Sequence, residues 1–196
     1  MPRSPMSRRL PSAAVFIAIV MVCGAAFASG LADLWLDVPF VQQQKDGCGA
    51  ASIAMVMQYW EQHQGHPLGP EAQPVTILRA LYSAQAHGIY ASAMVRYFQQ
   101  NGYRAFAFAG RRADLVSQLQ QGRPLIAALK PGVGPWLHYV VVVGLDERQK
   151  LVLVNDPAQR KLLKEDQAQF EREWKATGNW ILLAVPEASS PGASKN

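Results

Sequence analysis

Between Gly49 and His63 the chain reads GAASIAMVMQYWEQH, and no other stretch restricts the fold as strongly. Ala51, Ala54, Met55, Gln58 and Tyr59 recur at helical spacing, yet small and apolar residues occupy nearly every side of that helix. A helix that is apolar all round has to be buried. The spacing predicts a central helix of about fourteen residues that ends before Gly65. At its head sits Cys48, between Gly47 and Gly49. With 196 residues, 49% of them hydrophobic, the chain can bury one core of ordinary size.

Around this helix the order of elements follows from composition. LWLDVPFVQQ reads as an extended entry segment, and GHPLGPEAQP as a loop rich in Gly and Pro. VTILRALYSA and SAMVRYFQQNG predict second and third helices, the latter closed by Asn101-Gly102. YRAFAFAG alternates like a strand, and ADLVSQLQQG is a fourth helix with Asp114 in its first turn. RPLIAALK, LHYVVVVG, KLVLVND and NWILLAV are strands; KLLKEDQAQFEREW is a polar helix or loop. The expected class is α+β, with the cysteine helix packed on an antiparallel sheet. The AFAF and PGVGPW segments read as core and turn, with the lining of a peptide groove as the alternative.

The first residues follow an export plan. MPRSPMSRR is basic, AAVFIAIVMVCGAAF is apolar, and Ala26-Phe27-Ala28 forms an A-x-A cleavage pattern. The expected organisation is a signal peptide over 1–28 cut after Ala28, a domain over 29–186 and a disordered tail over 187–196. The product would be periplasmic or secreted, and would touch a membrane only through an uncleaved N-terminal segment. An apolar run of about fifteen to eighteen residues is at the short limit for a span. Cys23 is preceded by Val22 rather than the small residue a lipidation site requires. The net charge of +5 is mostly leader: removing Arg3, Arg8 and Arg9 leaves about +2, a nearly balanced surface. Nucleic acid is therefore not an expected partner.

Once the leader and its Cys23 leave, Cys48 is the single cysteine and has no internal disulfide partner. A lone thiol is a liability in an oxidising compartment, so it is either buried and inert or used. Unpaired N–H groups at a helix start favour the thiolate over the thiol, and the adjacent glycines leave room for a substrate carbonyl. Thiol catalysis also needs a base. His63 is about 22 Å from Cys48 along a straight helix at 1.5 Å per residue, too far to serve. His63 and His66 lack metal-binding partners beyond Glu61 and read as surface residues; His87 lies in a loop. His138 opens the HYVVVV strand. If LDERQ forms a five-residue hairpin loop, Gly144 faces Lys150 and His138 faces Asp156, close enough for a carboxylate to hold the imidazole. A four-residue loop instead brings Asn155 opposite. Asp156 before Pro157 also suits the start of a turn.

Gln42, DGCGAASIAMVM, HYVVVVG and VNDP, in that order and spacing, together with LVSQLQQGRPLIAAL, resemble the bacteriocin-processing, double-glycine-leader cysteine peptidases. The resemblance spans about residues 36–185. It implies a papain-like fold, Cys48 as nucleophile, His138 as base and later acid, Asp156 as its orienter, and Gln42 donating to the oxyanion beside the Cys48 N–H. It also implies a peptide or protein substrate with Gly at the cut site, no metal or organic cofactor, and an export- or secretion-system component as a second partner class. The sequence departs from the better-known members in having no G-x-x-x-x-G-K-[ST] phosphate loop and in its export signal. The same triad could serve acyl transfer or amide hydrolysis on a non-protein substrate, and a non-catalytic peptide-binding module is the third reading.

Overall fold

In the computed structural model, Met1 and residues 34–132 and 136–187 are described. The signal-peptide expectation over 1–28, with its cleavage site, and the tail beyond Glu187 lie outside them. The chain enters through β1 (Leu34–Trp35), then forms α1 (Cys48–Gln64), a short 3₁₀ turn (Pro70–Ala72), α2 (Pro74–Leu81) and α3 (Ala91–Gln100). It continues with β2 (Tyr103–Ala109), α4 (Arg112–Gln120), β3 (Leu125–Leu129), β4 (His138–Asp146), β5 (Leu151–Asn155), β6 (Leu163–Asp166), α5 (Gln167–Lys175) and β7 (Trp180–Pro186).

All described strands join one antiparallel sheet in the order β2-β7-β3-β4-β5-β6, and β1 runs along β4 where β3 leaves it. The helices cover both faces, a layer more than the single packed helix the sequence suggests. Ile126, Ala128, Tyr139, Val141 and Val143 meet α1, α2 and α3. Leu125, Ala127, Leu129, Val140 and Val142 meet Leu115 and Leu119 of α4 and Phe170 and Trp174 of α5. This explains the unbroken VVVV run: a strand buried on both faces has no polar side to alternate with.

As its composition requires, α1 is buried along most of its length. Four of its side chains donate to backbone carbonyls of other elements: Ser52 Oγ to Tyr139 (3.3 Å), Gln58 Nε2 to Ala72 (3.0 Å), Tyr59 OH to Gly122 (2.8 Å) and Trp60 Nε1 to Ala184 (2.9 Å). Each bond removes the cost of a buried unpaired donor and fixes the helix against a different element.

The hairpin register differs from the five-residue-loop expectation. Asp146 pairs with Leu151, and Gly144 faces Leu153 rather than Lys150. Two features account for this. Asp146 Oδ1 accepts from Gln149 N at 2.8 Å and Lys150 adopts a left-handed φ of 55°, so the turn closes over four residues. The register then shifts between Val142 and Gly144, and beyond it Val141 faces Asn155. The stretch expected as polar helix or loop is split: β6 pairs with β5 as an edge strand and α5 follows it. The alternating, charged Leu163–Asp166 run suits an exposed edge. Gly144 is needed for close approach, since a Cβ there would lie 2.5 Å from Leu34 O and 2.8 Å from Trp35 Cβ. Gly144→Ala should therefore destabilise the fold by about 1–3 kcal/mol in a urea titration; an unchanged midpoint would mean that β1 does not press on β4.

Candidate active site

Cys48 is the first residue of α1, and the N-cap, Gly47, offers no side-chain hydrogen bond. No acidic residue occupies the first turn. The first intrahelical bond is Ala51 N to Gly47 O at 2.9 Å, so the earlier N–H groups of the turn have no helical acceptor. A helix start without a cap or a carboxylate keeps its preference for negative charge unsatisfied, and the group placed there is a thiol. The thiol is free and half-buried. Gly49 serves packing rather than substrate access: its missing side chain lets Ile89 Cβ and Tyr139 Cδ2 come within 3.2 and 3.5 Å of the Cβ position.

His138 heads β4, where Leu129 of β3 is its ladder partner. Its Nε2 is 2.8 Å from Oδ1 of Asp156, and Cys48 lies near enough to act on its charge. With Nε2 occupied, Nδ1 is the nitrogen left to exchange a proton with the thiol. Asp156 is not directly opposite His138. Continuing the Val141–Asn155 register sets Asp156 across from Val140, so the two are diagonal neighbours, a separation that long side chains bridge. Asn155, the residue a four-residue loop was expected to bring opposite His138, pairs with Val141. Its fully buried amide donates to Val38 O (3.1 Å) and accepts from Leu162 N (3.0 Å), stitching the entry segment to the β5–β6 turn.

Sequence reasoning missed the groups that hold Asp156. Oδ1 also accepts from Ala158 N (2.8 Å), and Oδ2 accepts from Gln159 Nε2 (2.7 Å). The turn-starting and imidazole-holding readings of Asp156 are therefore both realised in one carboxylate. The signal for the first was the Asp-Pro pair; Gln159 left none, because a glutamine three residues on in a turn is otherwise unremarkable. Gln42 is exposed, whereas Gln43 is half-buried and its N–H donates to Pro157 O at 2.9 Å. That bond ties the glutamine segment to the Asp156 turn. His63 bonds within α1, its Nδ1 2.8 Å from Tyr59 O; His66 is exposed at the helix's far end.

Burial alone would push the imidazole towards its neutral form, but hydrogen bonds and charge from Asp156 and Cys48 outweigh it and raise the pKa of His138 to about 9. Burial likewise opposes ionisation of Asp156. Its bonds to His138, and those from Ala158 N–H and the Gln159 amide, prevail and hold the carboxyl below its ordinary value. The site thus favours an imidazolium bonded to the Asp156 carboxylate. Behind it, Glu165 is pushed up to about 7 by burial and by the negative charges of Glu173 and Asp156, with His138 opposing. Among the described residues no group of three or more His, Cys, Asp or Glu could hold a metal ion, and no helix is long and apolar enough to cross a membrane.

A model of the Peptidase_C39 like family matches residues 35–181. No curated protein matches. Among solved structures the chain resembles a candidate C39-like peptidase from Bacillus anthracis (18% identity, TM-score 0.62, 80% of this chain and 99% of that one). It also resembles a double glycine motif protease from an AMS/PCAT transporter, solved in complex with the leader peptide (22%, 0.57, 78% and 94%). A third is the peptidase domain of Streptococcus ComA, a bi-functional ABC transporter involved in a quorum sensing pathway (23%, 0.57, 76% and 98%). These likenesses establish the papain-like fold.

The raised His138 and lowered Asp156 values fix a stability window. The histidine contribution is complete below its ordinary 6.5 and is lost as pH rises through about 9. The aspartate contribution is present above 3.8 and lost on acidification through its lower folded value. The stability gap between wild type and Asp156→Asn should be widest between 3.8 and 6.5. It should narrow towards both extremes in urea titrations at a series of pH values; a gap unaffected by pH would mean that the bond holds no extra proton.

Proposed function

The chain belongs to the Peptidase C39-like family and is a cysteine-type peptidase; from that premise we propose that Cys48, His138, Asp156 and Gln42 carry its chemistry. The observation that carries this reading is the 2.8 Å bond between His138 Nε2 and Asp156 Oδ1, with Cys48 near enough to act on the imidazole's charge.

The thiolate of Cys48 attacks the substrate carbonyl carbon, and the electron pair of the C=O bond moves onto oxygen. The backbone N–H of Cys48 and the exposed amide of Gln42 stabilise that oxyanion as charge develops. His138 passes its Nδ1 proton to the leaving amine, the C–N bond breaks, and an acyl-enzyme remains. The neutral imidazole then takes a proton from water, which attacks the thioester and regenerates the thiolate–imidazolium pair. Asp156 stays ionised throughout, holding the ring's orientation and stabilising its charge. Gln159 and the Ala158 N–H keep the carboxylate in place.

For the substrate, the reading is a peptide or protein cut at a Gly-containing site, by analogy with the double glycine motif protease. An export-system component is the candidate for delivering it, since the ComA domain belongs to a transporter. The basic, apolar and A-x-A pattern of residues 1–28 supports action outside the cytoplasm after removal of that segment.

Incubating the protein with a peptide library and identifying the cut sites by mass spectrometry tests the reading. Cys48→Ala should abolish cleavage, Asp156→Asn should slow it by roughly 10²- to 10⁴-fold with a measurable remnant, and Gln42→Ala by roughly 10²- to 10³-fold. The wild-type rate should fall as pH rises through about 9, where the imidazolium that protonates the leaving group is lost. Cleavage that survives intact in the Cys48→Ala variant would remove the thiol as nucleophile.

A further inference from the structure

Two loops meet beside the thiol and imidazole. The first runs from Ser83 to Ile89 and is closed on itself by Ser83 N to Gly88 O (2.8 Å) and Gly88 N to Ser83 O (3.3 Å). It is pressed against both flanks of Cys48: a Cβ on Gly88 would lie 3.6 Å from Asp46 O, and Ile89 Cβ reaches within 3.2 Å of the Cβ position of Gly49. At its tip His87 holds a left-handed φ of 45°. The second is the Trp136–Leu137 pair that leads directly into His138. The rings of His87 and Trp136 meet edge to face, centroids 4.8 Å apart at 72°. This contact links the loop against the cysteine to the segment that delivers the histidine.

The same two residues before His138 are among the most exposed large apolar side chains of the fold, Trp136 at 57% and Leu137 at 49%. An indole packed edge to face on a neighbouring ring and still 57% exposed offers a preorganised apolar contact at little entropic cost. Nothing in the packing of the core requires it to be there. The chemistry described above leaves it unused, yet it is two residues from the acid–base group.

We propose that Trp136, held in place by His87, forms a subsite for an apolar side chain of the substrate close to the cut bond. Trp136 touches substrate, while His87 acts through Trp136 as a positioning residue. The proposal rests on the peptidase reading and adds a specificity to it. Neither residue takes part in proton transfer or in holding the oxyanion, so the subsite affects binding and leaves the thiol–imidazole pair unchanged.

The test compares wild type, Trp136→Ala, His87→Ala and His87→Phe on the peptide library, with iodoacetamide labelling of Cys48 as a probe too small to need the subsite. Wild-type cut sites should show an apolar side chain enriched at one fixed position. Trp136→Ala should erase that enrichment and raise KM at least tenfold, with kcat and the labelling rate within twofold of wild type. His87→Ala should weaken the enrichment, and His87→Phe, which restores an aromatic edge, should recover it. Unchanged enrichment and KM in Trp136→Ala overturn the proposal. So does a new tolerance for bulky residues, which would make the rings a steric barrier, or a labelling rate that falls with cleavage, which would make them a prop for His138. Should wild type cut nothing, retention of library peptides by the Cys48→Ala variant decides separately. Retention abolished by adding Trp136→Ala upholds the subsite while the peptidase reading falls, and no retention ends both.

Discussion

The position of the Cys48 sulfur depends on the burial of α1. A half-exposed helix can slide or tilt at low cost, but α1 is enclosed by the sheet on one side and by α2 and α3 on others, with most of its side chains buried. Its polar groups reach four separate backbone carbonyls spread over β4, β7, the α4–β3 connection and the 3₁₀ turn. Displacing the helix along its axis would break several of these bonds together and leave buried donors unpaired. The helix start is therefore fixed relative to the head of β4, which carries His138. Two side chains ninety positions apart in sequence can be held close in space only by such a frame.

The electrostatics of the site follow from this placement. A buried carboxylate bonded to the imidazole acts against desolvation at both groups. Burial by itself would neutralise His138, yet Asp156 and Cys48 reverse its effect. The low dielectric that makes an isolated buried charge costly also strengthens each bond between opposite charges. Asp156 can play its part because three donors surround it: the imidazole, the Ala158 N–H and the Gln159 amide. A carboxylate with only one of these would remain nearer its ordinary pKa and be free to rotate.

Much of this was legible in the sequence, for reasons that can be traced to particular residues. The buried helix was readable because GAASIAMVMQYW has no polar face, and the strand of His138 because four consecutive valines suit neither a surface nor a helix. Strand register was not readable. It was set by a local Asp146–Gln149 turn and by an irregularity between Val142 and Gly144 that residue types do not announce. The expected His138–Asp156 contact is present with a different geometry, a diagonal one, since side-chain reach tolerates a slip that a directly opposed pair would not. The β6 strand was hidden because LKED is helix-compatible locally, and only pairing with β5 decides its conformation. Nor could the sequence show why glycines flank Cys48: a Cβ on Gly47 would lie 3.0 Å from Gln44 O, and Gly49 is small for the Ile89 and Tyr139 side chains.

The entry segment from Leu34 to Gly47 then becomes more than a lead-in. Leu34 and Trp35 pair with β4, Leu36 N bonds Val143 O, and Val38 O accepts from the buried Asn155 amide. Gln43 N bonds Pro157 O one residue past Asp156, and five residues later the chain arrives at Cys48. One stretch of backbone thus touches the strand of the histidine, the turn of the aspartate and the helix of the cysteine in succession. Asn155 is central to this arrangement, as the residue adjacent to Asp156 whose two amide atoms face opposite directions, to Val38 and to Leu162. A change that loosened the entry segment would be felt at all three side chains together, although none of its bonds involves them directly. The site's geometry is in this sense a property of the backbone network around it, and the reactive atoms occupy positions that the network has already set.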